Sequence, residues 1–195
     1  MLFEGLVQGI HAQNPGKIYL MIQAGGNYAW EEHTTGISFP RMIASQETLS
    51  LCWDATPSSG IRFQGYFGQN HSGTPKNQLY KFSSTGYYID YLWNLSYAAM
   101  LEKPEIQAAS FRIIAGLGME SGHHFKPEIQ GFKPKNKTVP AARFGFLSEF
   151  MASKSVGIVG EFNCTVLGNA FNGITVGGNG FDTRFELLLG TTYHF

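Results

Sequence analysis

An all-β fold, an eight-stranded antiparallel up-and-down transmembrane β-barrel, is what this sequence predicts, on three observations. Segments of strand length alternate between apolar and polar residues with a period of two. The links between them alternate between long polar stretches and shorter turns, and the polar parity carries charges of both signs. A period of two is the strand period, because successive side chains point to opposite faces. One greasy face and one charged face suit a strand with lipid on one side and a polar lumen on the other. A half-buried strand of a soluble sheet alternates in the same way, so composition, links and inward residues decide.

Composition favours the membrane. Of 195 residues only 14% are charged, while 24 are glycine and 16 phenylalanine; soluble domains carry about 25% charged residues. The formal net charge of zero leaves no footprint for nucleic acid or for an acidic substrate. No stretch approaches the roughly 18 apolar residues of a membrane helix, so a membrane protein with this sequence has to be a barrel. Nothing in the composition divides the chain, and one barrel domain over 17–195 is expected. Met1 to Gln13 has a modest apolar stretch and an Ala-Gln end, but Glu4 interrupts it and a basic region is missing; residues 1–16 read as a signal remnant or a flexible arm. Cys52 and Cys164 are too few for a disulfide scaffold, and they fall on opposite strand faces, which works against a bridge.

Taken in order, the first strand runs from Lys17 to Trp30, with Ile18, Leu20, Ile22, Ala24, Tyr28 and Trp30 on one face and Tyr19, Gln23 and Asn27 on the other. The second, Thr48 to Ala55, sets Leu49, Leu51 and Trp53 against Thr48, Ser50 and Asp54, and Pro57 to Gly60 makes a tight turn. The third, Ile61 to Gly68, sets Ile61, Phe63 and Phe67 against Arg62, Gln64 and Tyr66. The fourth, Tyr87 to Leu95, sets Tyr87, Ile89, Tyr91, Trp93 and Leu95 against Asp90 and Asn94. The fifth, Phe111 to Met119, sets Phe111, Ile113, Leu117 and Met119 against Arg112, Gly116 and Gly118. The sixth, Val139 to Phe150, sets Ala142, Phe144, Phe146 and Phe150 against Arg143, Gly145 and Glu149. The seventh, Val156 to Val166, sets Val156, Ile158, Phe162, Cys164 and Val166 against Gly157, Glu161, Asn163 and Thr165. The eighth, Phe181 to Phe195, sets Phe181, Phe185, Leu187, Leu189, Tyr193 and Phe195 against Asp182, Arg184, Glu186, Gly190, Thr192 and His194.

The links after the first, third, fifth and seventh strands (Glu31 to Glu47, Gln69 to Ser84, Glu120 to Lys137, Leu167 to Gly180) are long and polar. Those after the second and sixth are a few residues, and Ser96 to Ser110 is intermediate. Long extracellular loops, short periplasmic turns and both termini in the periplasm would produce that pattern, whereas long unstructured links are uncommon in compact soluble domains.

The inward parity says what kind of barrel this is. Arg62, Arg112, Arg143 and Arg184 share it with Asp90, Glu149, Glu161 and Glu186. An eight-stranded barrel is only wide enough to be filled by side chains, and charges buried there must pair. The expectation is a plugged lumen with an internal ion-pair network, which fixes register and closure or lines a gated proton or ion path. Trp30, Trp53, Tyr91, Trp93, Tyr193 and Phe195 fall on the outward parity and read as lipid-interface anchors rather than sugar-stacking platforms.

These residues resemble a family. A Pro-Ser-x-Gly turn (Pro57 to Gly60), an Asp-x-x-Trp-Asn-Leu-Ser segment (Asp90 to Ser96), a Gly-x-Gly strand after an arginine (Arg112, Gly116, Gly118) and a closing Gly-x-x-Tyr-x-Phe (Gly190, Tyr193, Phe195) are similar, in order, to the amino-terminal barrel of the OmpA-type outer-membrane proteins of the Bacteroidetes. The resemblance covers Lys17 to Phe195, and the sequence departs from the family in presenting the barrel portion alone, without the soluble peptidoglycan-binding domain that many members carry. It also implies that Tyr193 and Phe195 form the signal read by the barrel-assembly machinery.

Chemistry-bearing residues are sparse. Ser121, His123 and His124 fall in the third long link with no carboxylate at a fixed spacing, and His33, His71 and His194 are dispersed. No glycine pattern precedes a helix as a phosphate loop would, and no cofactor is implied. The expectation is a non-enzymatic barrel in the outer membrane of a Gram-negative bacterium. It would support envelope integrity or act as a subunit of an outer-membrane assembly, with lipid, lipopolysaccharide, the assembly machinery and other outer-membrane proteins as partners. A lipid-modifying enzyme or a small-solute pore is the alternative, while a lipocalin-like carrier would need an apolar interior.

Overall fold

The computed structural model describes residues 17–30, 37–74, 78–99, 109–126, 134–169, 171–173 and 180–195; the expected arm over 1–16, and His33, lie outside them. Eight strands follow one another: β1 (Ile18–Trp30), β2 (Ile43–Thr56), β3 (Ser59–Gly73), β4 (Leu79–Asn94), β5 (Ala109–Lys126), β6 (Lys137–Met151), β7 (Val156–Gly168) and β8 (Phe181–His194). Two short helices, α1 (Phe39–Met42) and α2 (Leu95–Ala99), precede β2 and follow β4. Each strand pairs antiparallel with its neighbour, and β8 pairs with β1, closing the barrel. Followed from Ile18, the register passes through Trp53, Ile61, Tyr91, Ala115, Phe144, Cys164 and Phe185 and returns to β1 at Tyr28. That climb is the stagger of tilted strands, and it leaves no unpaired edge.

Inside and outside are reversed relative to a soluble protein. Exposed residues include Ile22, Phe67, Tyr87, Leu117, Phe146 and Leu189, whereas Arg62, Arg184, Glu120, Asn70 and Thr165 are wholly buried. Water on the outside would make that wall a single apolar patch far beyond what soluble monomers expose. The same alternation therefore satisfies both faces only in a hydrocarbon slab.

The strands are longer than the sequence pattern suggests at one end of the barrel. β2 begins at Ile43 rather than Thr48, β3 ends at Gly73 rather than Gly68, β4 begins at Leu79 rather than Tyr87, and β5 continues past Met119 to Lys126. Beyond Phe67, Tyr87 and Met119 the outward residues turn polar (Gln69, His71, Lys81, Ser83, Ser121, His123), so the apolar period fades while the pairing continues. At the other end Leu95 opens α2 instead of finishing β4. Link lengths change accordingly. Residues 31–42, 74–78, 127–136 and 169–180 connect strands at what we call the loop end, and 57–58, 95–108 and 152–155 at the turn end. The second loop shrinks to a short hairpin link and 95–108 is as long as any loop, so length alone does not distinguish the ends as the sequence suggested.

Candidate functional site

The inward positions build a column of polar layers. At the turn end, Arg112 of β5 donates from Nη1 to Asp54 Oδ1 (2.8 Å) and from Nη2 to Oδ2 (3.2 Å). Its Nη2 also lies 3.6 Å from Glu149 Oε2, and it donates to the Tyr19 hydroxyl. Glu149 accepts from His194 Nε2 at 2.7 Å and from the Thr192 hydroxyl. Tyr19 stacks on His194 with ring centroids 4.6 Å apart. Above this layer Met21, Cys52, Leu92, Ile114, Leu147 and Val159 form a fully buried apolar cluster.

The central layer is held by two arginines on one aspartate. Arg62 donates from Nε to Asp90 Oδ2 (2.6 Å) and from Nη1 and Nη2 to the two oxygens of Glu161 (2.6 and 2.9 Å). Arg143 donates from Nε to Asp90 Oδ1 (2.8 Å) and from Nη2 to Oδ2, and its guanidinium lies 3.9 Å from the Tyr88 ring centre. Gln23 and Asn163 donate to Glu161. Planar guanidinium forks paired in this way satisfy both charges with directional bonds, which a buried pair needs to offset its desolvation. Inward glycines make the space: a Cβ at Gly116 would run into Asp90 Oδ1 and one at Gly145 into Asn163 Oδ1.

The third layer is centred on Arg184 of β8, which donates to both oxygens of Glu120 and from Nε to Glu186 Oε1 (2.7 Å). Its guanidinium lies 4.5 Å from the Tyr66 ring centre, and Tyr88 donates its hydroxyl to Glu120. At the loop-end mouth Tyr80, Phe82, Val139, Ala141, Leu167 and Phe171 form a second buried apolar cluster. Phe171, from the last loop, packs edge-on against Phe82 at 5.3 Å, and Tyr80 donates to the carbonyl of Asn172 (2.6 Å).

The structure thus places Arg62, Asp90, Arg112, Arg143, Glu149, Glu161, Arg184 and Glu186 in the lumen; all but Glu149 join a hydrogen-bonded ion pair, and Glu149 takes its hydrogen bonds from His194 and Thr192 with Arg112 at 3.6 Å. Three partners escaped the sequence reading. Asp54 lies on the inward parity but near a turn, Glu120 lies past the apolar run of β5 where the pattern predicts a loop, and His194 has no charged neighbour in the sequence. Strict continuation of the inward parity could have found all three. With Asp54, Glu120 and Asp182 added, buried acids outnumber buried arginines among the described residues, so the interior is not charge-balanced as its first eight members suggested.

Trp30, Trp53, Tyr91, Trp93, Tyr193 and Phe195 are all exposed on the outer wall. Trp53, Trp93, Tyr193 and Phe195 gather toward the turn end, Trp30 ends β1 at the loop end, and Tyr91 lies one outward position inside Trp93. Ser121, His123 and His124 sit on β5 rather than in a loop, His123 Nδ1 donating to the Ser121 carbonyl (3.2 Å) and the two imidazoles meeting edge to face at 4.8 Å. Glu120 beside them points into the lumen to Arg184. Among the described residues no group of three or more His, Cys, Asp and Glu is arranged to hold a metal, and both cysteines are free.

No protein-family model matches this sequence. A search of curated proteins finds no relative. Among solved structures the chain is similar to Neisserial surface protein A (10% identity, 91% of this chain and 97% of that one, TM-score 0.60). It is similar also to Ail, the attachment invasion locus protein of Yersinia pestis, in complex with the heparin analogue sucrose octasulfate (10% identity, 93% and 99%, TM-score 0.57). A third is the amino-terminal β-barrel domain of Pseudomonas aeruginosa OprF (12% identity, 94% and 100%, TM-score 0.53). What the chain shares with them is the fold, a closed eight-stranded barrel of the kind found in outer membranes.

Proposed function

We propose that residues 17–195 form an outer-membrane barrel of a Gram-negative bacterium whose lumen is filled by its own side chains, and that its role is structural or interactive rather than catalytic. It supports envelope integrity or serves as a subunit of an outer-membrane assembly, with the loop end outside the cell and the termini in the periplasm. The resemblance of its turn, strand and closing motifs to the OmpA-type barrels of the Bacteroidetes supports this reading. So do the outward aromatics Tyr193 and Phe195 in and beside the closing strand, which suit the barrel-assembly machinery, and the outer wall, which suits lipid, lipopolysaccharide and neighbouring outer-membrane proteins.

The observation that carries the proposal is the filling of the lumen. The polar column is interrupted by the apolar layer of Met21, Cys52, Leu92, Ile114, Leu147 and Val159 and is closed at the mouth by Phe82 and Phe171. An ion crossing either layer would lose its hydration with no polar partner to replace it. Planar-bilayer recordings of the purified protein are expected to show little or no steady conductance. A large, stable ohmic conductance would overturn the filled-lumen reading in favour of a small-solute pore.

A further inference from the structure

Charges on the outside of this barrel are distributed differently from those within. Among the described residues, every acid except Glu47 is buried in the lumen, and every arginine except Arg41 is buried with them. Among the described residues the exposed basic side chains concentrate at the loop end, Arg41, Lys81, Lys126, Lys135 and Lys137, against Lys154 and half-buried Lys17 at the turn end. Half-buried His71 and His123 lie among those at the loop end, burial holding the His71 imidazole below its ordinary range. His71, Lys81 and Lys126 form a ridge on the wall, as successive cross-strand partners on β3, β4 and β5. Like charges placed directly opposite one another destabilise a sheet, and Glu47 lies lower on the wall, between Ala24 and Phe67 in the register. The ridge therefore lacks an internal counter-charge among the described residues.

Its position identifies the counter-charge. On the same strands the ridge gives way to exposed Phe67, Tyr87 and Met119, so the cations stand where the apolar belt ends, at the depth of lipid headgroups. Beside it, α1 links two surfaces. The carbonyl of Arg41 accepts a hydrogen bond from His71 Nδ1 at 2.7 Å, tying the helix to the ridge. Phe39 of the same helix lines an apolar groove of about 560 Å³ over the β8–β1 seam, with Gly26, Tyr28, Ile43, Phe185 and Leu187. Gly26 has no side chain to fill the groove, and the nearest side-chain atom to a Cβ built there is the Ile43 Cγ2, at 3.5 Å. A groove for a hydrocarbon chain and a row of cations at its headgroup level describe the two halves of one amphiphile.

We infer that the loop-end wall from α1 to β5 binds a phosphorylated, acylated glycolipid of the surrounding leaflet, its phosphates on Arg41, Lys81 and Lys126 and one acyl chain in the Gly26–Phe39 groove. This rests on the reading of the chain as a membrane barrel and specifies which lipid its wall prefers.

The test uses the full chain in phosphatidylcholine nanodiscs doped with bisphosphorylated lipid A or with the same glycolipid stripped of its phosphates. The glycolipid retained per barrel after mild-detergent extraction is counted by mass spectrometry. The bisphosphorylated form is expected to be retained preferentially. Since a basic residue near a membrane surface contributes about 1 kcal/mol, the Lys81→Gln/Lys126→Gln double change should lower its retention about thirtyfold. Lys17→Gln/Lys154→Gln at the other rim should leave it unchanged. All four side chains lie on the surface, and native electrophoretic mobility verifies that each variant is a closed barrel. Equal retention of the two glycolipids, or indifference to the Lys81 and Lys126 changes, would overturn the inference. Full displacement by millimolar inorganic phosphate would do so as well, by showing a site for the free anion. Orientation in cells and conductance are read in separate experiments, so the proposed function and this inference can fail independently.

Discussion

At the scale of single residues the lumen is a set of arginines with unequal obligations. Asp90 is held by both Arg62 and Arg143, so loss of Arg143 leaves it one guanidinium at 2.6 Å. Glu120 and Glu186 both depend on Arg184; without it, among the described residues, Glu186 keeps an amide hydrogen bond from Asn163 at 3.2 Å and Glu120 the Tyr88 hydroxyl. Arg184→Met is thus expected to destabilise the barrel by about 3 to 5 kcal/mol, the range for a buried pair that loses one member, and Arg143→Met by clearly less. Adding Glu120→Gln to Arg184→Met should recover part of the loss, since one stranded charge is removed. Reversible urea unfolding in lipid vesicles measures all three, and equal losses for the two arginine changes would contradict the pairing described here. Parity in the sequence was enough to place these arginines inside. It could not reveal which acid each one holds, because the pairs join strands far apart in the chain, as Arg62 and Glu161 do.

At the scale of strands, legibility follows the environment of the outer face. Where that face meets hydrocarbon, as from Ile18 to Ile22 or from Phe185 to Leu189, the outward residues are apolar and the period of two is plain. Above the belt the outward face meets water and headgroups, so any residue serves, and the strand persists only through backbone pairing and inward packing. That is why β3, β4 and β5 outrun their apolar runs and why the apolar pattern alone places Glu120 in a loop. The closing seam was legible in a motif without its reason being so. A Cβ at Gly190 would run into the backbone oxygen of Ile22, and one at Gly25 into that of Leu187, so β1 and β8 meet closely only because both positions are glycine. The outward parity has its own test in Phe146, exposed between Ile113 and Phe162 in the register. Phe146→Arg should cost about 2 to 4 kcal/mol near the bilayer midplane, against about 0 to 1 for Phe195→Arg at the interface. Guanidinium unfolding in vesicles that gave the larger loss at Phe195 would move the belt from where the exposed side chains put it.

At the scale of the whole molecule a net charge of zero conceals, among the described residues, a sorted distribution: an interior with more acids than arginines and an outer wall whose exposed charges, Glu47 apart, are basic and crowded at the loop end. Composition alone could not show this, since only the fold decides which side of the wall a residue occupies. Link length was expected to orient the barrel, yet 95–108 at the turn end matches the loops and 74–78 at the loop end is short. Orientation is better tested through the exposed lysines. Trypsin needs an exposed, locally yielding backbone, which Lys135, in the link before β6, and Lys154, in the 152–155 turn, both offer. They lie at opposite ends of the barrel, so one protease distinguishes them. With the loop end outside, trypsin added to intact cells should cut after Lys135, releasing a fragment that begins at Asn136, and should reach Lys154 only once the outer membrane is permeabilised. Cleavage after Lys154 in intact cells, with Lys135 spared, would turn the barrel over and put its basic ridge on the periplasmic side.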